Sequence, residues 1–524
     1  MERFSEKVFL QLKMPTEEVP LSDEKRIRLA LATLGYEHVN IPLFVMRKLY
    51  PMCRDAGFDV TVTLARRETD WAMVNIEAGD TTKHHFGLAV DYGSTTIVME
   101  LVDMNSGVVI DQVKAVNGQV VYGTDILTRI TFAMEDPDNA EQLQKATVKT
   151  FDSLLEQLTE NSGIDASKCP VMILSGNTTM IHFLLQLDAW TVFASPYAPV
   201  VSDPGFFWGR ELGMTFDGLV YIIPAASNYI GGDIVSGLLK LDIHKQEEIS
   251  LFFDIGTNGE LVIGNKDWMM AGAGAAGPAL EGYISRFGMR AAPGAIDSVS
   301  IRENQLSYTT IGNQKPVGIC GSGIIDLIAQ MRLNGWINIA GELNPDASSR
   351  IRYLDGEYVA VYAFAEESAS GEMLYFSQTD IMQYLDTKAA AYTMVECLLE
   401  SAGVPFDDLS HCYLSGAFPA HSDLESAITI GIFPDLPREK YQVLSNTSLE
   451  GARMLLLDRS RLEEAKDIAE NMYSVQFASF PDFLIRMQAA KFIPHTDMSR
   501  YPSIEILLGS GFTDIGIQGI NEGY

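Results

Sequence analysis

The chain has 524 residues and a formal charge of −31, set by 69 acidic against 38 basic side chains. That excess repels phosphate backbones and anionic lipid over most of the surface, so nucleic-acid and membrane partners are disfavoured, while the length provides for about three domain-sized units. The start "MERFSEKVFLQLKMP" has no basic-then-apolar leader, and the apolar stretch from Val171 to Leu187 is interrupted by Ser175, Asn177, Thr178, Thr179 and His182, so a soluble cytoplasmic protein without a membrane span is expected.

Residues 1–84 read as a small α/β domain. "KVFLQLKMP" predicts a strand, "SDEKRIRLALATLG" a helix capped by Ser22 and closed by Gly35, and "IPLFVMRKLYPMCRDAG" a second helix entered near a proline. "FDVTVTLARR" and "DWAMVNIEAG" alternate apolar and polar residues as a half-buried hairpin does. "GDTTKHH" follows as a linker, in which the adjacent His84 and His85 face opposite ways on an extended chain and make a poor metal pair. From Phe86 the pattern is strand, turn, strand, the turn "MNSG", and a third strand. A helix-rich stretch from Ile126 to Leu158, the strand "VMILSG" and a helix from Thr178 come next.

"LAVDYGSTTIVMELVD" breaks an apolar run at Asp91 with a glycine and three hydroxyl residues, and "LFFDIGTNGELVIG" breaks another at Asp254 with Gly256, Thr257, Asn258 and Gly259. Alone, an Asp-x-Gly-Ser/Thr string is an ordinary β-turn. Two copies, 163 positions apart, each between strongly apolar strands, point to an internal duplication and to a pair of phosphate-binding hairpins, one opening each half of a bilobal protein. A glycine turn exposes backbone N–H groups to anionic oxygens, and an aspartate is a hard ligand for Mg²⁺. Further small-residue clusters are candidate nucleotide contacts. They are "AGAGAAGPALEG", with a helix expected from Pro278, "GICGSGIIDLI", and the strand-turn "CYLSGAFPAH". The five cysteines, Cys53, Cys169, Cys320, Cys397 and Cys412, are never closer than 15 positions, so no local iron–sulfur or zinc signature exists and reduced thiols are expected.

Taken in order, "DYGSTT", "YGTDILTRI", "LSGNTTMIHFLL", "IGGDIVSGLL", "DIGTNGELVIG", "AAGPALEG", "CGSGIIDLI", "LSGAFPAHSDLESAITIGIFP" and "SNTSLEGARMLLL" resemble the actin, sugar-kinase and heat-shock ATPase (ASKHA) superfamily, and within it the reductive activators of corrinoid-dependent methyltransferases. The resemblance implies an α/β fold. A small N-terminal α/β domain (1–84), similar to the middle domain of those activators, would precede a duplicated, ribonuclease H-like ATPase with lobes at 85–250 and 251–524. It implies ATP and Mg²⁺ as cofactors, with Asp91 and Asp254 as catalytic and metal residues. Gly93, Ser94, Thr95 and Thr96 would form the first phosphate loop and Gly256, Thr257, Asn258 and Gly259 the second, with Gly274, Gly277, Gly321, Ser322 and Gly323 lining the cleft and Ser415 and Gly416 near the adenosine.

The function so implied is ATP-dependent activation of a corrinoid methyltransferase protein, returning Co(II) to Co(I). The sequence departs from that family at three points. It carries no iron–sulfur module, so a separate donor such as a ferredoxin-like protein is the expected electron source; Ala417 and Pro419 stand where the adenosine segment normally has glycines; and Tyr92 replaces an aliphatic residue, with its side chain expected to point away from the face of Asp91. A homodimer is compatible with the resemblance. Two other readings are a small-molecule kinase, drawing on Asp233 or Glu260 as base, and a non-catalytic corrinoid-protein-binding module.

Overall fold

The structure is a computed structural model that describes residues 2–256, 258–274, 282, 284–416 and 422–509. Thr257, Gly277, Pro278, Ala417 and Pro419 lie outside the described residues. The chain forms two compact units. One contains Met1–Asp242 and Thr447–Met472, the other Ile243–Asn446 and the described residues from Tyr473 onward.

The first unit begins with a three-stranded antiparallel sheet in the order Ser5–Gln11, Asp59–Arg66, Trp71–Ala78. Helices Asp23–Thr33 and Leu43–Asp55 cover it. Ser22 Oγ accepts the Lys25 amide at 3.2 Å to start the first, and Gly35 at φ +91° ends it. Ile27 and Leu31 of one helix and Val45 and Leu49 of the other pack on Val60, Val62 and Leu64. His85 of the linker is buried and hydrogen-bonded through Nε2 to Ser5 Oγ at 3.0 Å, whereas His84 is exposed.

A six-stranded sheet follows in the order Val109–Val116, Thr96–Asp103, Phe86–Tyr92, Val171–Gly176, Leu219–Ile222, Gly205–Trp208. The first three strands are an antiparallel meander. Val171–Gly176 and Leu219–Ile222 then run parallel to Phe86–Tyr92. "VMILSG" is a continuous apolar run because a central parallel strand is covered on both faces, and all six of its residues are buried. Helix Pro137–Ser162, capped by Asp136, opened by its proline and closed by Gly163 at φ +72°, packs Phe151, Leu154, Leu155 and Leu158 into the core of this sheet.

The second unit repeats that plan. Its six-stranded sheet runs Tyr441–Val443, His411–Ser415, Ser250–Ile255, Gly259–Gly264, Met269–Gly274, Met472–Val475. Ser250–Ile255, Gly259–Gly264 and Met269–Gly274 are the antiparallel meander, and His411–Ser415 and Tyr441–Val443 are the two parallel strands added to its first member. Five strands of each sheet share one order and one pattern of directions, which is a duplicated fold, and the two Asp-x-Gly hairpins occupy the same turn of it; the sixth strand lies at opposite edges, Gly205–Trp208 beside the last parallel strand and Met472–Val475 beside the meander. Two small three-stranded sheets, built from residues 295–319 and 351–377, and helices Gly321–Leu333 and Gln378–Ala402 complete the second unit.

A late segment closes the first unit. Helix Thr447–Leu457 lies against helix Gly232–Leu241 and against strands Phe86–Tyr92 and Val171–Gly176. The approach is close enough that a Cβ on Gly451 would sit 1.9 Å from Ser236 O. The buried Glu100 accepts from Arg453 Nη1 at 3.0 Å and ties the same helix to strand Thr96–Asp103.

Candidate functional site

In the first unit the strand–turn–strand "DYGSTT" is a hairpin whose last paired residues are Tyr92 and Ile97, leaving Gly93, Ser94, Thr95 and Thr96 at the tip and its return. The tip is tight. A Cβ on Gly93 would meet Thr96 O at 2.5 Å, so only glycine closes this turn. Asn117, at the end of the third strand, braces the tip by donating Nδ2 to Gly93 O at 3.0 Å and its backbone amide to Thr95 O at 2.9 Å. Tyr92 turns away from this face. Its ring is fully buried and stacks edge-on against Phe151, and its hydroxyl bonds Thr147 Oγ1 at 2.7 Å and Gln119 Nε2 at 3.3 Å, as its alternation with Asp91 requires.

Three other strings arrive at the same end of the sheet. The parallel register pairs Asp91 with Ser175 and Tyr92 with Gly176, so "LSGNTT" lies beside the hairpin, with Asn177 capping helix Thr178–Leu184. The pair Gly231–Gly232 opens helix Gly232–Leu241 against it. A Cβ on Gly231 would lie 2.4 Å from Asn177 Cα and 2.7 Å from Asp233 Oδ1, and one on Gly232 would lie 2.5 Å from Ile223 O. "SNTS" delivers Ser448, whose hydroxyl donates to Asp91 Oδ1 at 2.9 Å and bonds Ser175 Oγ at 2.8 Å, while Ser448 O accepts from Ser236 Oγ at 2.6 Å.

Asp233 therefore sits in the first turn of a helix next to Asp91. Burial and the Asp91 charge push its carboxyl up to about 7, against the backbone N–H groups that favour its ionised form. Neighbouring carboxylates whose charges repel are the groups that could hold a divalent cation, and Asp91 and Asp233 are such a pair.

The second hairpin pairs Ile255 with Gly259 and Asp254 with Glu260, placing Gly256, Asn258 and Gly259 at or beside its tip. The Gly256 amide donates to Asn258 O at 2.9 Å. Neither a positive φ nor packing accounts for Gly256, since a Cβ there would meet nothing within 4 Å. The neighbouring strands bring in two more of the expected residues, with Asp254 level with Ser415 and Gly259 level with Gly274.

Gly416 is held at φ +101°, where a Cβ would lie 2.2 Å from Ile255 O and 2.8 Å from Asp254 Oδ1. The Ser415–Gly416 turn and the Asp254 carboxylate thus share one close-packed corner. Ser415 Oγ donates to Ser445 O at 3.0 Å. Gly274 also has a packing reason, because a Cβ would strike Met394 Sδ at 2.2 Å. Gly321, Ser322 and Gly323 form the buried first turn of helix Gly321–Leu333. Gly323 is pressed against Ile296 O of the small sheet, and Ser322 Oγ lies 3.3 Å from Cys320 Sγ.

Sequence reasoning singled out Asp91 and its loop but did not weigh Ser448, Asn177 or Gly231, and it treated Asp233 only as an alternative base. Their signals were small residues at a strand end or helix start, whose meaning depends on what packs beside them.

Comparison with known proteins agrees with this architecture. Family models described as the RACo linker region, the RACo middle region, and the C-terminal (ASKHA) domain of RACo match residues 1–83, 86–246 and 248–505. A solved structure of a reductive activator for corrinoid, iron-sulfur protein superimposes with a TM-score of 0.86 at 35% identity, over 96% of this chain and 81% of that one. The corrinoid activation enzyme RamQ of Eubacterium limosum is 29% identical over 419 residues, 78% of this chain and 70% of that protein. The [Co(II) methylated amine-specific corrinoid protein] reductase of Methanosarcina barkeri is 25% identical over 420 residues, 74% and 73% of the two chains. With an ASKHA domain, a duplicated hairpin fold and this coverage of a relative above 30% identity, the chain belongs to the RACo family of corrinoid reductive activators.

Proposed function

We propose that the protein is an ATP-dependent activator of a corrinoid methyltransferase protein, promoting one-electron reduction of the partner's Co(II) to Co(I) with an electron from a separate donor protein. The observation that carries the reading is the convergence of four separate strings on Asp91 at one sheet end, repeated in plan by the hairpin at Asp254. MgATP would bring phosphate charge for these groups to hold and a hydrolysable bond.

The turn amides and hydroxyls around Gly93–Thr96 and Gly256–Asn258 bind and orient phosphate oxygens. Asp91 and Asp233 in the first unit and Asp254 in the second are the candidate hard oxygen ligands. Ser448 fixes one oxygen of Asp91, and burial and the Asp91 charge raise the Asp233 carboxyl, a repulsion that a bound cation would relieve. Binding that favours one arrangement of the protein, and a partner that recognises the same arrangement, couple ATP to activation through linked equilibria. The five cysteines are all buried thiols spread through the chain. The acidic surface favours a partner with a basic patch.

The test mixes the purified protein, MgATP, a genomically neighbouring Co(II) corrinoid protein and an external reductant, and follows Co(I) optically. Acceleration that needs ATP and is lost in Asp254→Ala is the expected result; a rate indifferent to ATP would refute activation. The Asp233 carboxyl also favours a second reading, small-molecule phosphorylation with Asp233 as base. A phosphorylated product from a panel of sugars and short acids would establish that reading instead.

A further inference from the structure

We infer that a cavity in the first unit, remote from the hairpin tips in sequence and built on the helical layer, is an anchoring site for a protein partner. It would take one bulky aliphatic or aromatic side chain flanked by lysine or arginine. Helices Ile126–Glu135, Pro137–Ser162 and Thr178–Leu184 and the short helix Trp190–Phe193 enclose about 270 Å³, walled by Ile130, Met134, Ala140, Phe183, Leu187 and Trp190. The volume is at the lower edge of what small-molecule sites occupy and suits a single large side chain.

Its mouth is apolar yet open to solvent, with Met134 57% and Trp190 46% exposed, so an entering side chain would cover hydrophobic surface that the fold leaves wet. An exposed tryptophan at the lip of a pocket is the residue type that most often dominates a protein contact.

The polar surroundings decide which side chain enters. Asp188 lines the cavity, and Glu135, Asp136 and Asp138 adjoin its lining residues Met134 and Pro137 in the chain. All four are exposed, and none of them forms a salt bridge among the described residues. Asp188 accepts the Trp190 amide at 2.8 Å, so the one carboxylate in the lining is held in place beside the exposed ring. Lys145, which follows on the same helix, is engaged with Glu141. A fixed carboxylate in the wall of an apolar hole, with three more exposed acids next to its lining residues in the chain, disfavours nucleic acid and acidic segments and selects a basic-flanked apolar anchor. Burial of a hydrophobic group gives the contact its strength and the carboxylates give it its sign preference.

The full chain labelled with 5-fluorotryptophan tests this by ¹⁹F resonance of Trp190, assigned through Trp190→Phe. Three acetylated, amidated hexapeptides are the probes: Lys-Lys-Leu-Phe-Lys-Lys, Glu-Glu-Leu-Phe-Glu-Glu and Lys-Lys-Ala-Ala-Lys-Lys. A saturable shift at Trp190 is expected from the first alone. The cavity-filling Ala140→Met and the double variant Asp138→Asn, Asp188→Asn, which keeps the cap at Asp136 and an oxygen for the Trp190 amide, should each weaken it at least tenfold without altering circular dichroism. The inference is overturned by no shift with the first peptide, by an equal shift with either control, or by unchanged affinity in the variants. Should Ala140→Met not fold, the surface double variant alone decides. Nucleotide plays no part in the measurement, so its outcome is separate from that of the activation assay.

Discussion

Gly416→Ala distinguishes a glycine required by the candidate site from one required only by its backbone angle. Gly416 is held at φ +101° and Gly356, in the turn of the hairpin formed by Ile351–Leu354 and Glu357–Ala363, at φ +97°. Alanine pays nearly the same conformational penalty at both, of order 1–3 kcal/mol for a side chain in a sparsely populated region. The surroundings differ. At Gly356 a Cβ meets nothing within 4 Å, while at Gly416 it meets Ile255 O at 2.2 Å and Asp254 Oδ1 at 2.8 Å. Ordinary van der Waals contact needs about 3.5 Å, so strand Ser250–Ile255 or the Asp254 carboxylate must move by roughly 1 Å. A misplacement of that size in a catalytic group costs on the order of 100-fold in rate.

Calorimetric titration with MgATP and turnover at saturating nucleotide provide the comparison. Gly356→Ala should bind and hydrolyse as the parent does, with only a lowered denaturation midpoint. Gly416→Ala should lose at least tenfold in affinity and about 100-fold in turnover. If the two variants behave alike, the Ser415–Gly416 turn does not position Asp254, and the reasoning from close packing fails.

Ser448→Ala removes the donor to Asp91 Oδ1 and one of the two partners of Ser175 Oγ, while Ser236 Oγ keeps its bond to the backbone carbonyl at position 448. It should cost about 1–3 kcal/mol of stability in urea unfolding and lower ATP turnover, and Ser448→Thr should restore part of both. Tyr92→Phe deletes a buried hydroxyl that faces Thr147 and Gln119, and Thr147 still accepts from Gln119 Nε2 at 2.8 Å. A loss of about 1 kcal/mol with unchanged MgATP affinity is expected; a large affinity change would place Tyr92 in the site.

Acid should destabilise the N-terminal domain through His85. Burial, with Lys7 and Arg3 nearby and Asp103 opposing them, holds its imidazole down at about 4 against an ordinary value of 6.5. The unfolded chain therefore binds the proton first, so stability is full above about pH 6.5 and falls as pH drops toward 4, by up to roughly 3 kcal/mol. Urea midpoints at pH 7 and 4.5 should differ less in His85→Gln than in the parent, and equal slopes would exclude His85 as the source.

Local structure was readable wherever a signal is carried within a few residues. Ser22 and Gly35 bracket the first helix and Asp136, Pro137 and Gly163 the long one; Asp59–Arg66 and Trp71–Ala78 pair as the expected hairpin, but its first strand is covered on both faces, Val60 to Ala65 all being buried, rather than half-buried. The duplication was also readable, because a hairpin tip that presents backbone to an anion needs glycine and hydroxyl residues at fixed offsets from an aspartate, and the chain contains that string twice.

The sequence by itself thus determined many of the elements, the two Asp-x-Gly hairpins and the family. Only the tertiary structure decided what each small residue is for. Gly93 and Gly416 are explained by backbone approach, Gly274 and Gly323 by packing, and Gly256 by neither. The structure also brought Ser448, 357 positions away, into hydrogen-bond contact with Asp91 and set Asp233 close enough for that charge to raise its carboxyl. Such pairings depend on parallel strand register and on a helix that returns to the first unit from the far end of the chain, and both are long-range packing outcomes that no local spacing encodes.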